Sequence, residues 1–413
     1  MELLLVISVG VSSLSFLTWL YLLLARGFFW RTDVCLGAEA GLSKPWPSVG
    51  VVVPARNEAD VLPETLPTLL CQEYPGEFRV YLVDDQSSDG TAEIVSNLAE
   101  QKGSYDSYDS QDRELTLIEG SPLPLDWAGK VWAMEQGVSA ASLQSPDYLW
   151  LTDADIAHSP RVLASLIVKA ESNDASLVSV AAQLHCQGFW ERLLVPAFIY
   201  FFAKLFPFRW VNDRNNPIAA AAGGCMLVRR ESLEAAGGLP SIANALIDDC
   251  SLARLIKGGS PGGNTIWLGL SHDIQSVRPY AGLWPFWRMV ARTAYTQLRY
   301  SPALLLGATV GMLLVYLVPL AALIGGRVGL WVTGEYNLSL FLLALGLATL
   351  SLMFTSYLPM LQWYRTSKSF ALLLPLAGLL YTMMTIDSAR RHWQGKGREW
   401  KGRTYNGNLN SPP

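Results

Sequence analysis

The chain has 413 residues, enough for two or three domains of ordinary size, and its formal net charge is −4. A slightly acidic chain is not typical of nucleic-acid-binding proteins, so no nucleic acid is expected as a partner. Hydrophobic residues make up 51% of the sequence and the mean hydropathy is +0.24, both high for a soluble protein. The apolar excess is concentrated towards the two ends, which indicates membrane segments there.

The first apolar stretch covers residues 3–25, carries no charge and is long enough to cross a bilayer core of about 30 Å. It is longer than the apolar core of a cleaved signal peptide and no basic segment precedes it, so we expect a retained anchor. Arg26 and Arg31 follow it, and by the positive-inside rule they place the next part of the chain in the cytoplasm. The five cysteines are scattered without metal-type spacing, which is typical of a reducing compartment.

Strands and helices alternate through the middle of the chain. Residues 48–54 (SVGVVVP) and 78–85 (FRVYLVDD) are short apolar runs, and each is followed by a helical pattern. A third run at 114–120, a helix from about Lys130 to Ala141 and the run DYLWLTDAD at 147–155 continue the alternation. This order predicts an α/β fold with right-handed βαβ units around a mostly parallel sheet. Such sheets bind ligands beyond the carboxyl ends of their strands.

Acidic side chains stand where two of these strands end. Asp84 and Asp85 end the second strand, and Asp153 and Asp155 end the run at 147–155. One interpretation is structural, because acidic residues are common in turns and helix caps. The other is a metal site, because carboxylates one residue apart can hold Mg²⁺ or Mn²⁺ together with substrate phosphates. Such a cation neutralises a departing diphosphate. The pattern alone leaves both interpretations open.

Three further charged positions each have a structural and a functional interpretation. Asp249 follows Asp248 at a predicted helix start and is either a capping residue or a general base. Lys130 follows a glycine at a helix start and is either a solvated surface residue or an anion ligand. Arg299 precedes the second apolar stretch and is either a topology anchor or a phosphate ligand.

The last part of the chain contains three more apolar stretches, at 302–325, 338–363 and 369–386. Three crossings after a cytoplasmic domain place the tail outside, whereas the basic segment 389–403 is expected inside. We therefore expect an inside C-terminus, with either one re-entrant segment or a different number of crossings. The aromatic-rich segment 188–210 is interrupted by prolines, and we expect an interfacial helix lying on the membrane.

Four segments resemble, in this order, the motifs of the family 2 glycosyltransferases over about 250 residues: VVVPARNEADVLPETLPTLL, VDDQSSDGT, TDAD and IDDCSLA. The resemblance implies a GT-A type nucleotide-sugar-binding domain with a mostly parallel sheet, between N- and C-terminal transmembrane helices. The implied organisation is a transmembrane anchor at 1–28, a cytosolic GT-A domain at 45–295, a transmembrane region at 300–390 and a basic tail at 391–413.

The resemblance also implies a role for each motif residue. It assigns binding of the nucleotide-sugar donor, expected to be a UDP-sugar, to Pro54, Arg56, Asn57, Glu58, Asp85, Lys130 and Asp153. Asp153 and Asp155 match the D-x-D motif that holds the diphosphate through Mg²⁺ or Mn²⁺. Asp249 matches the catalytic base of an inverting single displacement, and Arg299 matches a phosphate contact. The Q-x-x-R-W motif of processive polysaccharide synthases is not intact around Arg299, which disfavours that activity.

The segments LPLDWAGKVWAMEQG and RMVARTAYTQLRYSPALLLG resemble, more narrowly, the hopanoid-biosynthesis-associated glycosyltransferases of bacteria. The implied function is metal-dependent transfer of a sugar to a hopanoid-like membrane lipid. The implied location is the bacterial inner membrane, as a multi-pass protein with a cytoplasmic catalytic domain. Alternative acceptors are polyprenyl phosphate, carotenoid-like lipids and sphingolipids. The intact acidic set disfavours a non-catalytic membrane scaffold, and the few charges in the apolar stretches disfavour a transporter.

Overall fold

The computed structural model describes residues 2–37, 41, 45–100, 114–258, 262–332, 335–395, 399–400 and 403–404. These residues form two compact units. The first, the α/β unit, lies within Val34–His185 and Trp210–Pro279, with a short β-pair near the end of the chain. The second, the helical unit, lies within Met1–Asp33, Cys186–Arg209 and Tyr280–Gly397.

The elements are numbered in chain order. The strands are β1 (Val49–Ala55), β2 (Phe78–Asp84), β3 (Leu115–Glu119), β4 (Tyr148–Thr152), β5 (Ile156–His158), β6 (Ala175–Gln183), β7 (Cys225–Arg229), β8 (Thr265–Ser276), β9 (Glu399–Trp400) and β10 (Arg403–Thr404). The α-helices are α1 (Glu2–Leu24), α2 (Leu62–Leu70), α3 (Thr91–Glu100), α4 (Gly129–Ser142), α5 (Val162–Ser172), α6 (Phe189–Leu205), α7 (Phe208–Val211), α8 (Arg230–Ala235), α9 (Asp248–Lys257), α10 (Leu283–Gln297), α11 (Pro302–Met312), α12 (Val318–Val332), α13 (Tyr336–Trp363) and α14 (Leu374–Trp393). The runs predicted as strands at 48–54, 78–85 and 114–120 correspond to β1, β2 and β3.

Eight of the described strands form one sheet in the order β3-β2-β1-β4-β7-β6-β8-β5. The pairs β2–β3, β1–β2, β1–β4 and β6–β8 are parallel, while β7 and β5 run antiparallel to their neighbours. The predicted α/β fold with a mostly parallel sheet is therefore confirmed. Every residue of β1 and β4 is buried, which is typical of parallel strands covered on both faces and explains their continuous apolar sequence.

The register of the sheet brings several strand ends to one edge. Ala55, the last residue of β1, is paired with Asp84, the last residue of β2. Thr152, the last residue of β4, is paired with Cys225, the first residue of antiparallel β7. β8 runs in the same direction as β4, so its end at Ser276 faces this edge as well. The turns that follow β1, β2, β4 and β8 therefore share one edge with the turn that precedes β7.

In the described part of the chain, four helical segments are long and apolar enough to cross a membrane: Leu3–Leu24, Pro302–Val332, Tyr336–Trp363 and Lys368–Trp393. They coincide with the four apolar stretches in the sequence, so the predicted N- and C-terminal apolar helices are confirmed. A Cβ added to Gly346 of α13 would lie 2.7 Å from the backbone nitrogen of Leu323 in α12. Glycine therefore permits close contact between these two helices, as in many membrane helix pairs.

Helices α6 and α10 belong to the helical unit. The predicted domain at 45–295 contains both, but the Tyr200 hydroxyl of α6 lies 2.7 Å from Ser356 Oγ of α13. Likewise, Trp287 Nε1 of α10 donates a hydrogen bond of 3.0 Å to Asp387 of α14. The α/β unit is consequently narrower than the predicted domain. The interfacial position expected for residues 188–210, which include α6, stays a prediction.

Candidate active site

Residues of the four motif segments converge at one edge of the α/β sheet. Arg56 and its neighbours follow β1, Asp85 follows β2, and Asp153 follows β4. The side chain of Asp249, in the first turn of α9, accepts a hydrogen bond from the N–H of Gly223 just before β7. The sequence predicts this grouping because parallel strands that end at the same edge bring their following turns together.

The turn after β1 is fastened to the turn after β2. Arg56 Nη1 donates to the main-chain oxygen of Asp85 and lies 3.5 Å from its carboxylate oxygen Oδ2. The side chain of Asp85 is fully buried. Asn57, whose φ is 51°, donates its N–H to Ser87 Oγ at 2.9 Å, and its Oδ1 accepts the N–H of Ser88 at 2.9 Å. The segment that the resemblance assigns to the nucleoside is thus a frame of two linked turns.

Pro54 and Glu58 border this frame. Pro54 is buried within β1, where it is paired with Val83 of β2, and it has no polar side-chain atom to offer. The N–H of Glu58 donates to Thr91 Oγ1 at 2.9 Å, at the start of α3, and its carboxylate forms an ion pair with Arg278. Nucleoside contacts from either residue stay predictions that rest on the resemblance.

Lys130, in the first turn of α4, joins the D-x-D turn to the acidic pair of α9. Its Nζ lies 2.7 Å from Asp153 Oδ1 and 3.1 Å from Asp248 Oδ2. Burial by itself lowers the pKa of a lysine, but the two carboxylates outweigh burial and raise the pKa of Lys130 above its ordinary value. The interpretation as a solvated surface lysine is therefore wrong. Lys130 is a partly buried cation that stays charged. It offsets the charge of the acidic edge, the group formed by Asp153, Asp155, Asp248 and Asp249.

Main-chain groups hold the carboxylate of Asp249. The N–H of Gly223 donates to Oδ2 at 3.0 Å, and the N–H of Cys250 donates to Oδ1 at 2.6 Å. A Cβ added to Gly223 would lie 3.1 Å from Lys130 Nζ and 3.5 Å from Asp249 Oδ2. Glycine at position 223 thus lets the backbone approach both charged groups. These main-chain donors fix the carboxylate in position.

The pKa of Asp249 suits a general base. Burial raises the pKa of Asp249 to about 6, the charge of Asp248 adds to the rise, and Lys130 opposes it. A base whose pKa lies near the working pH is deprotonated and still basic enough to take a proton in the transition state. Ile247 occupies the N-cap position of α9, so both aspartates lie inside its first turn. The only capping-type contact of Asp249 is the hydrogen bond from the N–H of Cys250. This bond is compatible with a role of Asp249 as general base.

Residues at the end of β8 engage Asp155. Ser276 Oγ donates to Asp155 Oδ2 at 3.2 Å, and Arg278 Nε lies 3.4 Å from the same oxygen. Arg278 also forms ion pairs with Glu58 and Asp60. The sequence reasoning missed Arg278, because no motif surrounds it. The available signal was its place two residues after the strand that contains TIWLGLS.

Arg299 belongs to the helical unit. It lies just beyond the C-terminus of α10, its φ is 51°, and its side chain is exposed. Tyr300, the next residue, stacks on the ring of His392 with 4.3 Å between ring centroids. The role of Arg299 as a phosphate ligand stays a prediction.

The donor set at the D-x-D turn fits a divalent cation that shares its ligands with a phosphate. Among the described residues, no three His, Cys, Asp or Glu side chains gather into a metal cage. Asp153 and Asp155 nevertheless place two carboxylates one residue apart on the same turn. Mg²⁺ is commonly bound by one or two carboxylates, with water and substrate phosphates completing the shell. The turn supplies the protein's part of such a site.

The sheet order, the acidic edge and the frame of linked turns define a GT-A-like α/β domain. Residues 50–237 match the family model described as Glycosyl transferase family 2. The chain therefore carries a glycosyl transferase family 2 domain, as the resemblance implied.

Comparison with known proteins gives similar enzymes. Residues of this chain are 26% identical over 193 residues to an N-acetylglucosaminyltransferase of Mesorhizobium japonicum, covering 46% of this chain and 41% of that protein. They are 28% identical over 202 residues to the undecaprenyl-phosphate 4-deoxy-4-formamido-L-arabinose transferase of Pseudomonas aeruginosa, covering 46% and 50%. The chain thus spans at most half the length of these two relatives.

A solved structure shares the fold. It is the mannosyltransferase PcManGT from Pyrobaculum calidifontis in complex with GDP-Man and Mn²⁺, with a TM-score of 0.56 and 19% identity. The match covers 94% of this chain and 99% of that one. None of these three proteins, the mannosyltransferase and the two relatives, has a name that refers to hopanoids. The narrower resemblance therefore stays a prediction.

Proposed function

We propose that this protein transfers a sugar from a nucleotide-sugar donor to a lipid acceptor in the membrane. The observation that carries the proposal is the position of Asp249. Its carboxylate, with a pKa raised to about 6, lies beside Lys130 and Asp248, and Lys130 in turn contacts Asp153 of the D-x-D turn. A general base and a diphosphate-binding motif are the two parts that an inverting glycosyl transfer requires.

The linked turns and the D-x-D motif support the donor side of the proposal. In the proposal, Arg56, Asn57 and Asp85 bind the nucleoside, and Asp153 and Asp155 hold Mg²⁺ or Mn²⁺. When bound, the cation stabilises the negative charge of the leaving diphosphate. We propose a UDP-sugar as donor. GDP-Man is the donor named for the mannosyltransferase with the same fold, so GDP-sugars belong in the same assay.

A donor titration with and without a chelator tests the metal. We expect EDTA to weaken binding of the donor strongly, because the carboxylates then repel the diphosphate. Equal affinity with and without EDTA would contradict a metal that bridges Asp153 and Asp155 to the donor.

The chemical step is a single displacement with inversion at the sugar carbon. The acceptor oxygen attacks the anomeric carbon, the bond to the diphosphate breaks, and Asp249 takes the proton of an attacking hydroxyl. A phosphate acceptor reacts differently, because its attacking oxygen carries no proton at neutral pH and needs no base. The presence of Asp249 as a partly buried base therefore favours a lipid hydroxyl as acceptor.

The proposed acceptor is a hydroxyl of a hopanoid-like lipid, and the proposed location is the bacterial inner membrane with the α/β unit in the cytoplasm. The narrower sequence resemblance supports the lipid, and Arg26 after the first apolar helix supports the orientation. A second acceptor, undecaprenyl phosphate, is supported by the name of the Pseudomonas aeruginosa relative.

Mass spectrometry of membrane lipids from cells with and without the gene tests the proposal. We expect loss of a glycosylated hopanoid and accumulation of its unglycosylated precursor. Loss of a sugar-linked undecaprenyl phosphate instead would replace the first acceptor by the second. An unchanged lipid profile in cells that express the protein would contradict transfer to lipid.

A further inference from the structure

Arg278 links carboxylates from two separate motifs. Its Nε lies 3.4 Å from Asp155 Oδ2 of the D-x-D turn, its Nη2 pairs with Glu58, and its Nη1 lies 3.8 Å from Asp60. Glu58 and Asp60 belong to the turn after β1, which the proposed function assigns to the nucleotide. A single guanidinium thus faces three carboxylates at the edge of the sheet where the donor is proposed to bind.

The backbone fixes the place of this guanidinium. Ser276 is paired with Ile156 between β8 and β5, and the N–H of Val277 donates to the main-chain oxygen of Asp155 at 3.0 Å. The chain that carries Arg278 is therefore tied to the D-x-D turn at Asp155 and at Ile156. The side chain of Arg278 is 31% exposed, while those of Glu58 and Asp155 are 10% and 22% exposed. Such partly buried pairs are screened less than surface pairs.

The guanidinium and a divalent cation compete for the same oxygen. Arg278 stays protonated at any pH at which proteins fold, so no proton transfer can release Asp155 from it. A cation bound by Asp153 and Asp155 must therefore displace Nε from Asp155, or bind with Asp155 still shared. The bond to Glu58 is independent of this oxygen, so the guanidinium keeps an anchor when it leaves Asp155.

We propose that Arg278 is the internal counter-ion of the D-x-D turn, so that the metal binds tightly only together with the nucleotide. Without metal and nucleotide, Arg278 neutralises Asp155 and Glu58 and thereby weakens binding of a free divalent cation. When a nucleoside diphosphate brings its own negative charge, Asp155 would hold the metal and the guanidinium of Arg278 would turn to the diphosphate. This inference rests on the proposed function for the identity of the donor, but not for the competition between Arg278 and the metal.

Two binding measurements on the full-length protein in detergent test the inference. The first follows Mn²⁺ by electron paramagnetic resonance without nucleotide, and the second measures binding of UDP and of GDP at saturating Mn²⁺. We expect Arg278→Gln to bind Mn²⁺ about tenfold more tightly, since removing one positive charge strengthens the attraction of Asp155 for the metal. We expect the same variant to bind the nucleotide that the wild type prefers about tenfold more weakly.

Two further variants separate charge from fold. Arg161→Gln removes the same charge from an exposed pair with Glu73 in the same unit, and we expect it to change neither affinity. Arg278→Lys keeps the charge and loses the fork geometry, so we expect a smaller gain in Mn²⁺ affinity than in Arg278→Gln. Opposite changes of metal and nucleotide affinity are the signature of a counter-ion, whereas a purely structural tie lowers both together.

The inference is overturned if Arg278→Gln weakens Mn²⁺ binding or leaves it unchanged while the variant still unfolds cooperatively. If Arg278→Gln does not fold, an unchanged Mn²⁺ affinity in Arg278→Lys overturns it instead. A wild type that binds neither UDP nor GDP contradicts the proposed donor, and the Mn²⁺ measurements still decide the competition.

Discussion

The α/β unit and the helical unit bury their polar groups in opposite ways. In the α/β unit a partly buried cation meets carboxylates, as Lys130 meets Asp153 and Asp248. Between apolar helices of the helical unit a neutral donor meets a main-chain oxygen, as Trp19 Nε1 of α1 donates to the carbonyl of Val315 at 2.8 Å. That carbonyl belongs to a π-helical turn, whose altered hydrogen bonding leaves main-chain oxygens available to a neighbouring helix.

This difference separates what each unit can do. Opposed charges in a partly buried site contribute little net stability, because desolvation offsets their attraction, but they set pKa values and bind ions. Neutral hydrogen bonds between apolar helices fix helix positions at a small cost in desolvation. We therefore expect substitutions at the acidic edge to change chemistry and pH dependence, and to lower stability where one ion is left without its partner. We expect substitutions between the apolar helices to change stability alone.

Lys204 of α6 qualifies the comparison, because it is a cation in the helical unit. Its Nζ lies 2.9 Å from the hydroxyl of Tyr316, and among the described residues no carboxylate forms an ion pair with it. Burial, helped by the charge of Arg26, lowers the pKa of Lys204 to about 7. The surroundings of Lys204 thus favour its neutral form, the reverse of what happens to Lys130.

The largest effect is expected from Asp249→Asn. For a hydroxyl acceptor we expect turnover to fall by about 10²–10⁴-fold, the usual contribution of a positioned base, with donor affinity nearly unchanged. Steady-state kinetics with nucleotide release and equilibrium donor binding measure the two quantities. The matched control is Asp174→Asn in the same unit, whose carboxylate is fully exposed, and we expect it to keep normal turnover.

Near-normal turnover in Asp249→Asn would remove Asp249 from the base role. It would also shift support from a lipid hydroxyl to a lipid phosphate, since the latter needs no base. The variant therefore tests the mechanism and the acceptor class together.

The second effect concerns Lys130→Gln. Removing the cation leaves Asp153 and Asp248 without their common partner, and we expect the free energy of unfolding to fall by about 2–3 kcal/mol, less than for a fully buried pair. Because Lys130 lowers the pKa of Asp249, we also expect the acid limb of the pH–activity profile to move above pH 6. Thermal unfolding and pH–rate profiles measure both.

Lys130→Arg is the matched variant, and we expect it to keep the acid limb near pH 6. An unshifted limb in Lys130→Gln would show that Lys130 does not act on the base. The comparison between the units would then lose its main electrostatic support.

Local pattern and strand direction made part of the site predictable. Asp85 and Asp153 follow apolar strands of clear signature, and parallel strands bring their ends together, so their shared edge follows from the sequence. The side chains that contact these aspartates could not be predicted from the sequence. Lys130 stands at a helix start, where a solvated lysine and a buried one have the same local pattern, and only the closure of α4 and α9 around it decides.

Arg278 shows the limit more clearly. It reaches Asp155 because β7 enters the sheet antiparallel and β8 returns parallel to β6, an order of strands that no local pattern encodes. The placement of α6 and α10 is similar: their apolar residues are compatible with packing against a sheet or against membrane helices. Partners distant in sequence, such as Ser356 for Tyr200, determine which packing occurs.

The third effect is the pH dependence of the wild type. With the pKa of Asp249 raised to about 6, we expect activity on a hydroxyl acceptor to fall about tenfold per pH unit below 6. Stability changes in the opposite sense for this group. A carboxyl whose pKa is raised above its ordinary 3.8 in the folded state stabilises the fold. This contribution is fully present below pH 3.8 and is lost as the pH rises through 6. An acid limb near pH 4 would contradict the raised pKa.

The smallest effect tests the helical unit alone. Ser15 Oγ of α1 donates to the carbonyl of Leu314 in the π-helical turn at 2.7 Å, whereas Thr18 Oγ1 donates to Leu14 of its own helix at 2.7 Å. We expect Ser15→Ala to lower the free energy of unfolding in detergent by about 0.6 kcal/mol, a typical value for a hydrogen bond between membrane helices. Thr18→Ala removes an equally short bond within one helix and should have less effect. Equal losses would show that α1 gains nothing from the π-helical turn, while catalytic activity should be unchanged in both variants because the acidic edge keeps all its charges.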